Sequence, residues 1–239
     1  MEIKNTKKLP VWWLIILAPL GFGITTLFYK LSGGNSYEIQ KILGISQSRI
    51  FSLLIYTLST GFAVFIYWLL LKSKKLSLKK AGYRGKLTKN GVYGALLALL
   101  ITSFILYPLL TSILGALDIP MFWKSIGDTA IKQNSVQDLI LGILTTVILA
   151  PLTEDTIFRG YVFQMFSERT NKWIAMVVSA LLFAVIHISF FGPGLTIWVF
   201  FFGLVSAYLY KRFDNIYPSL LFHALNNLWS YILVPLIFY

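Results

Sequence analysis

The chain has 239 residues, 57% hydrophobic and 13% charged, with no cysteine to form a disulfide, a thiolate metal site or a nucleophile. Soluble domains carry about a quarter charged residues, so a chain this apolar needs lipid as the solvent for much of its surface. Its net charge of +12 sits in short blocks between apolar stretches, a pattern that fits membrane orientation and argues against nucleic-acid binding.

Seven apolar stretches follow one another, at roughly 11–31, 50–71, 91–117, 137–166, 173–190, 195–210 and 217–239. Each is near the ~20 residues of one membrane crossing. The expected fold class is therefore all-α: a polytopic transmembrane helical bundle of about seven or eight membrane helices. No linker is long enough to separate a second domain, so residues 1–239 read as one transmembrane domain. The first stretch is expected to stay as a helix, because its apolar run is too long for a signal peptide and no small-residue cleavage site follows. The segment 72–89 is the most basic and reads as a topology determinant beside anionic headgroups. With the N-terminus inside, fifteen Lys and Arg fall on the cytoplasmic side and five on the other, with Arg159 inside the fourth span. That asymmetry predicts a cytoplasmic N-terminus and, for seven helices, a C-terminus on the opposite side of the cell membrane.

A few polar residues interrupt the later spans: Glu154, Asp155 and Arg159 in the fourth, His187 in the fifth, and His223, Asn226 and Asn227 in the last. The chain has two histidines, and both fall here. An ionisable group in lipid costs roughly 2.5–3.5 kcal/mol even on insertion scales, so such residues need partners or a wet cavity. Asp155 and Arg159 are four apart and share a helix face, as do His223 and Asn227, and Phe183 and His187. Glu154 is rotated about 100° from Asp155 and points elsewhere.

Heights agree in part. Glu154 and His187 are equally far in sequence from the turn near 170–171, which puts both ~25 Å above it. Counted from the last turn, Asn227 comes out at ~20 Å and His223 lower, at ~14 Å. Pro151 removes one helix hydrogen bond and is expected to free the carbonyl of Val147, with a kink that could admit water beside Glu154.

These residues resemble the motifs of the CAAX-protease and bacteriocin-processing intramembrane proteases, the Abi family. Its Glu-Glu-x-x-x-Arg is similar to Glu154-Asp155-Thr156-Ile157-Phe158-Arg159, its Phe-x-x-x-His to Phe183 through His187, and its His-x-x-x-Asn to His223 through Asn227. The order and spacing agree over roughly 137–230, which would be the catalytic core. The family's second glutamate is Asp155 here.

The resemblance implies endopeptidase hydrolysis of a peptide or protein substrate within the bilayer. CAAX-type, bacteriocin-leader and signalling peptides are the substrate classes it brings. Glu154 would activate water as general base, His187 would help bind that water, and His223 with Asn227 would stabilise the oxyanion. Asp155 and Arg159 would support them as an ion pair. The resemblance implies no cofactor. Glutamate and two histidines do suit zinc, but no His-Glu-x-x-His helix is present and the histidines lie on separate helices. A non-enzymatic immunity or regulatory protein on the same fold, or a proton-coupled transporter, would carry the same polar residues.

Overall fold

The computed structural model describes residues 77–121 and 136–238, with the isolated residues 65, 69 and 72. The expected span at 11–31, nearly all of that at 50–71 and most of the 118–136 loop lie outside the described residues. Within them every regular element is helical. We number these helices α1 (Lys89–Ala116), α2 (Leu139–Ser167), α3 (Lys172–Val185), α4 (Ile188–Phe213) and α5 (Tyr217–Ile237). α1, α2, α5 and the Phe191–Phe213 part of α4 are each long and apolar enough to cross a membrane. The chain is a helical membrane protein.

Local chemistry sets the helix ends. The Thr88 hydroxyl accepts the Gly91 N–H at 3.1 Å and starts α1. Asn171 Oδ1 accepts the Trp173 and Ile174 N–H groups, both at 2.9 Å, and starts α3; each replaces a helix partner that the first turn lacks. α4 ends at Asp214 in the left-handed region, and α5 opens with Pro218 in its first turn, where the missing N–H costs nothing.

Two boundaries differ from the sequence expectation. The fifth span was expected to run to 190, but α3 stops at Val185 and the chain turns at Ile186–His187, so His187 sits at a helix end. The sixth span, expected over 195–210, is helical over Ile188–Phe213, broken at Gly192, whose φ of 80° is non-helical. Hydropathy runs through both places because the turn is itself apolar.

Packing follows the side-chain pattern. Gly203 on α4 faces Ala180 on α3, where a Cβ would lie 3.2 Å from the Ala180 Cα, so small residues let these helices approach closely. Phe202 stacks on Phe222 with ring centroids 4.8 Å apart, and Phe158 meets Phe183 edge-on at 5.2 Å. Leu97, Leu100, Phe104 and Ile105 on α1 stay exposed and present an apolar face to lipid.

The segment 77–88 crosses one end of the bundle as a strap. Lys80 pairs with Glu168 just after α2, and Arg84 reaches Asp214 at 2.6 Å just after α4. Ile216 N–H donates to Gly82 O at 3.0 Å, and Asn215 Nδ2 donates to Lys86 O at 3.2 Å. At the other end, Leu195 N–H donates to Met121 O at 2.9 Å. A side chain at Gly194 would collide with the Pro120 carbonyl there.

Candidate active site

The three longest-range polar expectations meet in one place. Glu154 lies on α2, His187 at the turn after α3 and His223 on α5. Nε2 of His187 is 4.0 Å from Glu154 Oε2, and Nε2 of His223 is 3.7 Å from the same oxygen. The Glu154 side chain keeps 17% of its surface open, whereas Asp155 and Arg159 keep none. His223 therefore reaches Glu154 despite the lower height expected from residue counting. Counting from a turn takes the helices as parallel and the turns as equal in height, neither of which a bundle has to obey.

Asp155 and Arg159 pair at 3.0 Å, as their spacing requires. The guanidinium also lies over the Phe183 ring, 4.5 Å from its centroid. Asp155 does more than neutralise it. Its Oδ1 lies 3.2 Å from His223 Nδ1, and its Oδ2 accepts the Ser219 hydroxyl at 2.5 Å. The Ser206 hydroxyl lies 2.8 Å from that of Ser219, and both serines are fully buried.

Hydrogen bonds at Nδ1 decide which face each imidazole turns to Glu154. His187 Nδ1 is 2.6 Å from the Phe183 carbonyl, which can only accept, so the proton is on Nδ1. At His223 the acceptor is the Arg159-paired carboxylate of Asp155, with the same consequence. In their neutral forms both rings turn an Nε2 lone pair toward a carboxylate oxygen. Three acceptors converge there, an arrangement that a proton donor between them satisfies. Phe191 stacks on His187 at 5.6 Å, and Phe202 meets His223 edge-on at 5.0 Å. The rings fix both imidazoles from the side.

Zinc can be tested against this geometry. Bonds of ~2.0–2.1 Å at tetrahedral angles put ligand atoms about 3.3 Å apart. The observed 3.7 and 4.0 Å are wider, and among the described residues no three His, Asp or Glu groups close to metal-ligand spacing.

Asn227 is drawn into a second contact, which sequence reasoning did not anticipate. Residues Ile143–Leu149 are π-helical, and Ala150 N–H donates to Thr145 O, five residues back. In that register the donor due to Thr146 O would come from residue 151, which is proline. The orphaned carbonyl is thus Thr146, and the expectation of Val147 is corrected. Asn227 Nδ2 supplies the missing bond to Thr146 O at 2.8 Å. Its second amide hydrogen is separate from that bond. Asn226 Nδ2 donates to Asn227 Oδ1 at 3.4 Å.

Ser219 and Ser206 were also missed. The available signal was spacing: Ser219, His223 and Asn227 lie at successive intervals of four and form one polar stripe on α5.

Residues 136–229, which hold all of these groups, match the protein family described as type II CAAX prenyl endopeptidase Rce1-like. That segment is thus similar to the CAAX endopeptidases. Curated relatives match part of the chain. An "Uncharacterized 24.3 kDa protein" of Escherichia coli is 31% identical over 93 residues, covering 38% of this chain and 43% of the relative. UPF0177 protein YxdF of Lactococcus lactis is 32% identical over 94 residues, covering 39% and 48%. The Bacillus subtilis protein named "Putative membrane peptidase YdiL" is 27% identical over 119 residues, covering 48% and 47%. The chain spans about half the length of the curated relatives it matches, 43% to 57%. No solved structure matches the chain significantly. The family's second glutamate is the aspartate that here holds Arg159, His223 and Ser219 together.

Proposed function

We propose that this membrane protein is an intramembrane endopeptidase that hydrolyses a peptide bond with a glutamate-activated water and without a metal. The observation that carries this reading is the convergence of two Nε2 lone pairs on one oxygen of a half-buried carboxylate. A water between Glu154 and His187 donates one hydrogen to each and keeps its own lone pairs for attack. Glu154 takes the proton as the water oxygen adds to the scissile carbonyl. His223, protonated from solvent before the attack, donates a hydrogen bond from Nε2–H to the oxyanion and keeps that proton throughout, and ionised Asp155 at Nδ1 stabilises the imidazolium. The free hydrogen of Asn227 Nδ2 is the second oxyanion donor. Glu154 then returns its proton to the leaving amine.

The substrate is a peptide or protein that enters the bilayer, with prenylated tails, bacteriocin leaders and signalling peptides as the classes to try first. The N-terminus is cytoplasmic, a topology supported by the three basic segments 77–89, 169–172 and 211–212, which the strap contacts gather at one end of the bundle.

Cleavage of candidate peptides by purified protein in detergent tests the reading. Glu154→Ala is expected to lose essentially all activity and His187→Ala at least ~100-fold, within the range of general-base contributions. A strong chelator is expected to leave the wild-type rate unchanged. Cleavage that survives Glu154→Ala removes the proposed base, and cleavage abolished by chelation restores zinc.

A further inference from the structure

Ser219 and Ser206 have no role in the reaction just described, yet both are fully buried and their hydroxyls form a chain that ends on one carboxylate. The direction of the bonds is fixed. Asp155 is ionised and accepts, so the single Ser219 proton goes to Oδ2. Ser206 then donates to Ser219, because Ser219 has no proton left to give. The chain runs from Ser206 to Ser219 to Asp155, and such aligned donors strengthen one another. Ser219 and His223 lie one turn apart on the same face of α5 and engage the two oxygens of Asp155 separately.

We infer that Ser219, backed by Ser206, is a positioning residue: it holds the Asp155 carboxylate so that Oδ1 keeps the proton on His223 Nδ1 and Nε2 stays free for the reacting groups. Without that bond, Asp155 is restrained at Oδ1 alone and can rotate away from His223. Imidazole then loses the acceptor that distinguishes its two nitrogens. The inference rests on the peptidase reading for its consequence, since it assigns Nε2 of His223 to the oxyanion.

The shortened side chain at position 155 gives this support a reason. A glutamate there would have an extra methylene with which to reach His223. Aspartate is shorter, and its oxygens are set between helix neighbours, with Arg159 one turn along on α2 and the Ser219–His223 pair on α5.

The chain's two histidines make the test direct. Nitrogen-15 histidine labelling of the full chain in detergent micelles gives two imidazoles, and His187→Gln assigns them. At a pH where both rings are neutral, the ring shifts and two-bond couplings read which nitrogen carries the proton. Wild type is expected to show His223 as the Nδ1–H form. Ser219→Ala is expected to transfer part of the population to the Nε2–H form, and Ser219→Thr to retain the wild-type pattern. Peptide cleavage is read beside it. With the Asp155 carboxylate no longer held at Nδ1, the imidazolium that serves the oxyanion is less well oriented and less stabilised, so kcat is expected to fall about tenfold with KM unchanged.

A His223 tautomer that does not move in Ser219→Ala overturns the inference, whatever happens to cleavage. A tautomer shift in a protein that cleaves no peptide supports the hold of Ser219 on His223 and overturns the peptidase reading instead. Should Ser219→Ala not purify as a monodisperse species, Ser206→Ala removes only the outer hydroxyl and is expected to shift the tautomer in the same direction; no shift there counts against the inference.

Discussion

Removing the carboxylate of Asp155 leaves the guanidinium of Arg159 as a fully buried charge with no counter-ion. Breaking such a pair from one side costs about 3–5 kcal/mol, whereas replacing both partners by apolar residues is often neutral. Asp155→Leu is therefore expected to lower the unfolding temperature in detergent sharply, and Asp155→Leu with Arg159→Leu to recover most of the loss. Equal loss in the single and double variants would show that the pair is not what holds α2. At this scale the sequence was informative wherever two partners lay on one helix, because four-residue spacing is geometry. Ser219 was not legible. Buried hydroxyls in apolar helices commonly bond a carbonyl of their own helix, as Thr102 and Thr145 do here, so the residue type alone does not single out the serine that crosses to Asp155.

Asn227 joins two helices by answering a carbonyl that Pro151 leaves unpartnered. Asn227→Ala is expected to cost about 1–3 kcal/mol of stability, the cost of an unmet buried acceptor. Pro151→Ala restores an N–H at position 151 and supplies that acceptor from within α2. In the Pro151→Ala background the stability cost of Asn227→Ala is then expected to fall, and the double-mutant cycle measures the coupling. Cleavage is expected to stay impaired in the double variant, because the proposed oxyanion donor is still absent; recovery of both stability and activity would leave Asn227 a helix clamp alone. The proline was visible in the sequence, but the π register was not. It arises from packing between α2 and α5, and it decides which carbonyl goes unpaired. α3 shows the same division: its capped start at Asn171 was readable, while its end at Val185 lies in a mainly apolar run with no glycine or proline before Gly192.

For the whole molecule, hydropathy located the spans at 91–117, 137–166 and 217–239 within a few residues of the observed helices. What it could not supply was the strap at 77–88, whose contacts to Glu168, Asp214 and Ile216 are tertiary. The absence of cysteine makes orientation simple to measure. Lys79→Cys in the strap is expected to react with a membrane-impermeant maleimide in inverted vesicles and not in right-side-out ones, and Leu117→Cys at the far end of α1 to do the reverse. The opposite pattern would invert the proposed topology.

The early end of α3 has a consequence for the surrounding lipid. Its 14 residues span ~21 Å, against a hydrocarbon core of ~30 Å. Acyl chains beside α3 are expected to shorten to meet it, which thins the bilayer locally next to His187 and brings headgroup water down toward Glu154. Chain length of the host lipid thereby becomes a control on how the site is hydrated. Reconstituted into a series of phosphatidylcholines of increasing acyl length, the protein is expected to cleave fastest in the thinner members and to slow as thicker bilayers resist the dip. A rate indifferent to thickness would show that water reaches the carboxylate by another route.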